Sequence, residues 1–198
     1  MRLETGSNLI PANNKVSIQV KLGGLSFSAQ DITITKETKH IEVIIDTPRV
    51  ILAPHKQVSS DTAAELLRVV GKACHSNEQS VCSEPQADIV AVMAVDSSAL
   101  ASITEQWGSR ASFTSPLLDM RHSEEKCLTV DVSDEVCYIR HFNNGLQRAE
   151  AFAISTAEDV LYLATEWLQQ DKSTPIYIKS GNAVAKLLRK YFKQVICE

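Results

Sequence analysis

Three strand-length segments follow one another in the second half of the sequence, and the turn between the last two constrains the fold more than any other feature. Asn144-Gly145 favours positive φ angles at both positions, as a two-residue β-hairpin turn requires. The flanking segments have the length and apolar pattern of strands. The sequence therefore predicts an antiparallel meander of three strands, Cys127–Val132, Glu135–Phe142 and Leu146–Ile154.

The segments after this meander alternate between helix and strand. Ser155 and Glu158 have the spacing of a capping box and predict the start of a helix that runs to about Gln170. A strand at Pro175–Lys179 follows, and Ser180-Gly181-Asn182 turns the chain into a second helix. Val195–Cys197 is expected to form a last strand.

The first half begins with a similar pattern. Val16–Leu22 alternates apolar and polar residues, Gly23-Gly24 suits a hairpin turn, and the alternation resumes to Gln30. Short β-branched runs at Ile41–Ile45 and Val50–Ala53 also predict strands.

Helices and strands are expected to alternate in the rest of this half. The pattern predicts a helix over Asp61–Ala73, with Thr62 and Glu65 as its capping box, and a loop over His75–Gln86. Asp88–Val95 is continuously apolar and is expected to be a central strand. A helix capped by Asp96 and ending at Gly108, then a strand at Ala111–Thr114, complete the half.

The second half thus predicts three strands followed by a helix, a strand, a helix and a strand. We expect the first half, whose opening carries four strand-length segments, to repeat this plan. This order is typical of the ribonuclease H-like unit, and two such units in tandem make the actin-like ATPase architecture, an α/β fold. We expect the subdomains to cover residues 15–119 and 124–198, with a charged connector at Arg121–Lys126 between them. Residues 1–14 are expected to form a disordered N-terminal tail.

Several segments carry a closer resemblance to a known family. They are Val16-Ser-Ile-Gln-Val-Lys-Leu-Gly-Gly-Leu-Ser-Phe-Ser28, Thr156-Ala-Glu-Asp-Val-Leu-Tyr162, Ile178-Lys-Ser-Gly181 and Leu188-Arg-Lys-Tyr191. Together they resemble domain-of-unknown-function family 3822, an uncharacterised bacterial family. The resemblance implies an actin-like fold and carries no activity with it.

Composition argues against several classes of function. The chain has 20 Lys plus Arg against 24 Asp plus Glu, so it lacks the basic surface that nucleic-acid binding requires. No signal-peptide pattern and no apolar stretch of about 20 residues is present, which predicts a cytoplasmic protein without a membrane segment. The odd number of cysteines, 5, without any C-x-x-C pair, predicts reduced thiols.

Residues that could bind a nucleotide are recognisable in the second half of the sequence, and there only in part. Actin-like ATPases hold Mg²⁺-nucleotide through an aspartate on the first strand of each half, and Val16–Leu22 contains no carboxylate. Asp131 and Ser133 stand where a second phosphate loop is expected, and Asp131 is also consistent with an ordinary turn residue. Ser180 and Gly181 resemble the turn that contacts adenosine, although a lone glycine there more often serves backbone geometry.

These observations predict a vestigial nucleotide site of Asp131, Ser133, Ser180 and Gly181, which would bind ATP and Mg²⁺ if it binds a cofactor at all. The missing first-strand aspartate favours a non-catalytic cytoplasmic adaptor that binds another protein. The alternative is an ATPase or kinase-like protein that binds nucleotide between the halves. Self-association through sheet edges is a third hypothesis.

Overall fold

The computed structural model describes residues 15–20, 39–133, 135–169 and 171–198. The predicted tail and the predicted hairpin turn at Gly23-Gly24, with the strand after it, lie outside these residues. In chain order the elements are β1 (Lys15–Val20), β2 (His40–Ile45), β3 (Val50–Pro54), α1 (Ser60–Val69), β4 (Glu78–Cys82), β5 (Ile89–Asp96), α2 (Ser97–Trp107), β6 (Ala111–Thr114), β7 (Lys126–Ser133), β8 (Val136–Asn143), β9 (Leu146–Ala153), α3 (Ala157–Leu168), β10 (Ile176–Lys179), α4 (Asn182–Leu188) and β11 (Val195–Cys197).

The second half forms one five-stranded sheet in the order β11-β10-β7-β8-β9. The strands β7, β8 and β9 are antiparallel neighbours, while β10 and β11 run parallel to β7. Asn144 and Gly145 have φ angles of 51° and 127° in the turn between β8 and β9. The predicted meander and the alternation of helices and strands after it are confirmed.

Alternation along β7 gives this sheet two chemically different faces. Leu128 and Val130 point to one side and pack with Val160 of α3 and Leu188 of α4 in a buried apolar cluster. Because side chains alternate along a strand, Thr129, Asp131 and Ser133 point to the opposite side. The sheet therefore presents a polar stripe on the face away from its helices.

Helix boundaries follow local capping chemistry, with small differences from the predicted positions. Asp96 caps α2 as predicted, accepting hydrogen bonds from the backbone N–H groups of Ser98 and Ala99. The cap of α3 is Thr156, paired with Asp159, one residue later than the predicted box. The cap of α1 is Ser59, paired with Thr62. Neighbouring Ser, Thr and Asp side chains have similar capping ability, so sequence alone does not select among them.

The first half does not repeat the second element by element. Its strands form a parallel sheet, β1-β2-β6, and a separate antiparallel sheet, β3-β5-β4. The expected equivalence of Val16–Gln30 with the meander Cys127–Ile154 lies largely outside the described residues. Within them, β1 pairs in parallel with β2, the strand that contains Ile41–Ile45. The predicted loop at His75–Gln86 is wrong in part, since β4 lies within it. The predicted central position of Asp88–Val95 is confirmed by β5.

A partial correspondence between the halves remains. The strands β1, β2 and β6 are parallel neighbours in chain order, as are β7, β10 and β11 in the second half. In the first half, the segment from β3 to β5 is inserted between the parallel strands β2 and β6. The division into subdomains 15–119 and 124–198 stays a prediction.

Among the described residues, the largest buried cluster joins the two halves of the chain. The halves are linked by residues 115–125, which overlap the predicted charged stretch Arg121–Lys126 and are called the connector from here on. The cluster contains Ile45 and Val50 from the first half together with Val136, Tyr138 and Ala151 from the second. None of the helices in the described ranges is long and apolar enough to cross a bilayer.

A buried polar network lies at this junction. The Tyr138 hydroxyl donates to Asp46 Oδ1 at 2.7 Å and accepts from the Thr47 N–H at 2.9 Å. The Ser133 hydroxyl donates to the other oxygen of the same carboxylate. Burial, together with the charge of Asp46, raises the pKa of Tyr138, so the phenol remains a proton donor at neutral pH. We name Asp46, Thr47, Ser133 and Tyr138 the junction network.

Replacing Tyr138 with Phe is expected to lower the free energy of unfolding by about 1–3 kcal/mol, because a buried carboxylate and a buried N–H each lose a partner. Chemical denaturation monitored by circular dichroism measures the change. Tyr162→Phe is the matched control, since Tyr162 is 67% exposed and its variant should differ from wild type by less than about 0.5 kcal/mol. Equal stabilities of the Tyr138 and Tyr162 variants would contradict the assigned role of the network.

Candidate functional site

A cleft of about 660 Å³ lies between the parallel sheet of the first half and the polar face of the second-half sheet. Apart from Gln86, the lining residues come from the β2 and β6 strands, from the ends of β7 and β10, and from the connector. The lining residues are Glu42, Ile44, Gln86, Thr114, Ser115, Pro116, Leu118, Asp119, Met120, Arg121, Asp131, Val132, Ser133, Lys179 and Ser180.

Three of the four predicted site residues line this cleft. Asp131, Ser133 and Ser180 come together because β7 and β10 are parallel neighbours whose carboxyl ends lie side by side. Gly181 is not among the lining residues. Its φ is +104°, and an added Cβ would lie 3.4 Å from Val132 Cβ. A side chain at this position would therefore press against β7, in a backbone conformation that favours glycine.

The carboxylate of Asp131 is buried at the floor of the cleft and has an internal partner. Its Oδ2 lies 3.6 Å from Lys179 Nζ, and the residue is 7% exposed. Burial raises the pKa of Asp131, while the charge of Lys179 opposes the shift. The register explains the pairing, since Lys179 is directly opposite Asp131 in the parallel ladder.

Ser133, at the end of β7, is held by the first half. Its hydroxyl donates to Asp46 in the junction network. This contact holds the end of β7 against Asp46, the residue that follows β2. In the sequence, Ser133 is followed by two acidic residues, Asp134 and Glu135. A phosphate-binding turn needs backbone N–H groups aimed at an anion, and acidic residues there oppose that use.

A buried arginine supports the floor of the cleft from below. Arg140 is 2% exposed, donates from Nε to Thr129 Oγ1 at 2.7 Å and donates from Nη1 to the carbonyl of Pro116. Burial lowers the pKa of Arg140, and the charges of Asp119 and Asp131 oppose that shift. The guanidinium thus ties the connector to β7 and β8 and balances the acidic groups of the cleft.

The connector also carries a charged pair that lines the cleft, with Arg121 exposed and Asp119 largely covered. Arg121 donates to both carboxylate oxygens of Asp119, with Nη2 at 2.7 Å from Oδ2, and reaches Glu198 at 3.1 Å. Burial raises the pKa of Asp119, but the hydrogen bonds from Arg121 outweigh it and lower the pKa to about 2.

Sequence reasoning missed Asp46, Asp119, Arg121, Arg140 and Lys179. Two of them carried a usable signal. Lys179 ends a strand directly before the predicted turn, where the carboxyl ends of parallel strands usually bind ligands. Arg140 interrupts an otherwise apolar strand, and a charge at such a position indicates a buried partner.

The family comparison decides what the chain is related to. Residues 30–195 match the family model described as protein of unknown function, DUF3822. The chain belongs to the DUF3822 family. This confirms the resemblance seen in the sequence. No functionally curated protein matches this DUF3822 chain.

One solved structure establishes the fold of this DUF3822 protein. A protein of Bacteroides thetaiotaomicron, with an actin-like ATPase fold and unknown function, superimposes with a TM-score of 0.68 at 15% identity. The match covers 94% of this chain and 91% of that one. The predicted actin-like ATPase fold is therefore confirmed.

Two further structures are more distant. The cytoplasmic domain of EpsL, an inner-membrane component of the type II secretion system of Vibrio cholerae, has a TM-score of 0.45 at 11% identity, covering 83% of this chain and 81% of that one. The PilM-PilN type IV pilus biogenesis complex gives 0.45 at 14%, covering 81% and 69%. At these TM-scores the two structures carry no argument about this chain, whose fold rests on the Bacteroides likeness.

Asp119→Asn should reduce stability mainly above pH 4. A carboxyl with a folded pKa of about 2 contributes stability that is present above its unfolded pKa, about 3.9, and is lost as pH falls toward 2. The contribution at neutral pH is on the order of 1–2 kcal/mol, and Asn removes it. Denaturation at pH 7 and at pH 2.5 should show a large difference from wild type at the first pH and a small one at the second. Glu84→Gln, in an exposed loop, is the control; a pH-independent effect of Asp119→Asn would contradict the pairing.

Proposed function

We propose that this protein is a non-catalytic adaptor whose cleft is a degenerate nucleotide site. One observation carries the proposal: the two groups best placed to meet Mg²⁺ and phosphate already have partners within the chain. Asp131 is paired with Lys179, and Ser133 is bonded to Asp46. A nucleotide would have to displace both contacts before it gained its own.

The charge of the cleft supports the same conclusion. Its lining holds the carboxylates of Glu42, Asp119 and Asp131 and the cations of Arg121 and Lys179. Each cation has a carboxylate partner, Asp119 for Arg121 and Asp131 for Lys179. Nucleotide triphosphates are strongly anionic, and sites that bind them present unpaired Lys, Arg or Mg²⁺. This lining offers weak electrostatic attraction for a triphosphate.

The first half supplies a further argument. The β1 strand lies beside β2 as β7 lies beside β10, so β1 is the counterpart of the strand that carries Asp131. Its sequence is Lys-Val-Ser-Ile-Gln-Val and contains no carboxylate. Phosphoryl transfer depends on positioned metal ions, and one carboxylate alone is a poor anchor for Mg²⁺.

The partner of such an adaptor is proposed to be another protein or a second copy of the chain, in the cytoplasm. The β11 strand ends the second-half sheet, and its Ile196 side chain is 41% exposed. An unpaired strand edge is a ready site for the addition of another strand.

The alternative is a nucleotide-binding ATPase or kinase-like protein. It is favoured by one specific observation, the meeting of Asp131, Ser133 and Ser180 at one cleft between the halves. In that case ATP and Mg²⁺ would be the cofactors, and Asp131 would be the metal ligand.

Purified protein is expected to release no phosphate from Mg-ATP above a heat-killed control. Its melting temperature should also not rise with Mg-ATP. A ligand at 100 times its Kd would stabilise the fold by about 2.7 kcal/mol, which corresponds to roughly 5–10 °C for a chain of this size.

Asp131→Asn separates the two proposals. The adaptor hypothesis predicts identical nucleotide responses for the variant and the wild type. Sustained phosphate release that is abolished by Asp131→Asn would overturn it and establish the ATPase alternative. A Mg-ATP thermal shift without turnover, lost in the variant, would show that the site binds nucleotide without hydrolysing it.

A further inference from the structure

Three side chains of types that can bind metal converge where the connector meets β7. His122, Glu125 and Cys127 each offer one ligand atom, and these atoms all lie within 4.8 Å of one another. Within the described ranges, this is the one group of three such residues that meets this distance. The sequence did not predict this group, because the charge of Arg121–Lys126 indicates a solvated connector.

Local structure brings these residues together. The backbone N–H of Glu125 donates to the carbonyl of His122 at 3.0 Å, which forms a tight turn and places both side chains on one side. Cys127 follows as the first buried residue of β7 and is 0% exposed. Its side chain lies on the same face as Thr129 and Asp131 by strand alternation. The group therefore combines two connector residues, His122 and Glu125, with one residue of the sheet, Cys127.

The imidazole of His122 is fixed by contacts on three sides. Its Nδ1 lies 2.9 Å from Glu125 Oε1, and its Nε2 lies 2.6 Å from Glu198 Oε1. Its ring stacks on Tyr177 with centroids 4.1 Å apart. A metal-bound histidine usually donates its other ring N–H to a carboxylate, which orients the ring and strengthens the ligand. Glu198 occupies that position relative to Nε2.

We propose that His122 Nδ1, Glu125 and Cys127 form a Zn²⁺ site, with Glu198 as the residue that positions the histidine. Nitrogen, thiolate and carboxylate are the donors that Zn²⁺ prefers, and three protein ligands leave one position for water. Ligand atoms around tetrahedral Zn²⁺ are roughly 3.3–3.7 Å apart. His122 Nδ1 and Glu125 Oε1, which are 2.9 Å apart, therefore need to separate slightly, and a pair near the 4.8 Å limit needs to approach by about 1 Å. Binding replaces the thiol proton of Cys127 with the metal.

The position of this site suggests its effect on the protein. His122 and Glu125 belong to the connector, and Cys127 belongs to the second-half sheet. A bound metal would therefore fasten the connector to β7, next to Asp119 and Arg121, which line the cleft. This inference does not depend on the proposed adaptor role, since it rests on a different set of residues.

Titration of chelator-treated full-length protein with Co²⁺, followed by displacement with Zn²⁺, tests the proposal. Co²⁺ reports on its ligands, because a bound thiolate gives a near-ultraviolet charge-transfer band. One equivalent should produce this band in wild type, and Zn²⁺ should remove it. Cys127→Ser should lose the band, whereas Cys82→Ser, which changes a half-buried thiol elsewhere, should keep it.

Two further variants keep the test decisive if Cys127→Ser is unstable. Glu125→Gln should retain the thiolate band and weaken the apparent affinity at least about tenfold, because one ligand is lost. Glu198→Gln should weaken it by about 10–100-fold through the histidine. The proposal is overturned if wild type shows no thiolate band at millimolar Co²⁺. It is equally overturned if Cys82→Ser, rather than Cys127→Ser, removes the band.

Discussion

Asp46, at the end of β2, accepts hydrogen bonds from two residues of the other half. The residue is 4% exposed, and its carboxylate accepts hydrogen bonds from the hydroxyls of Ser133 and Tyr138, which are 87 and 92 residues away in the chain. A buried carboxylate without partners is among the costliest groups a fold can contain. The two halves therefore have to meet in a specific arrangement to satisfy it, and the shared apolar core packs around that contact.

The polar side chains of the cleft are also held by contacts within the chain. The junction network holds the end of β7, Lys179 pairs with Asp131, and Arg140 ties the connector to the sheet beneath. An actin-like architecture usually places nucleotide between its halves, and in this chain the polar groups Asp131 and Ser133 of that cleft are bonded to Lys179 and Asp46. The proposed adaptor role follows from that use of the side chains, together with the first strand that lacks a carboxylate.

The second half could be predicted well because its signals are local. Asn144-Gly145 specifies a hairpin within two residues, and the alternation in Cys127–Ser133 fixes which side chains face the helices. The first half was harder, because β1 and β2 are far apart in sequence and parallel pairing leaves no turn to recognise. The β4 strand has the sequence Glu-Gln-Ser-Val-Cys, whose polar composition gives little strand signal. The position of Asp131 and Ser133 near a strand end predicted that they belong to the candidate site. Their partners, Lys179 and Asp46, could not be predicted because those contacts form only in the folded structure.

Amide hydrogen exchange with and without Mg-ATP tests the central claim most directly, because it reports on the end of β7 and on the segment after β2 separately. If the hydrogen bond between Ser133 and Asp46 persists in the presence of nucleotide, Mg-ATP should not change the exchange rate of the peptide covering residues 44–48 or of the peptide covering residues 130–138. Among the described residues, the strand segments within both peptides should exchange slowest, since buried hydrogen-bonded segments open only rarely. Increased protection of residues 130–138 on addition of Mg-ATP would show that the cleft holds nucleotide and would contradict the account.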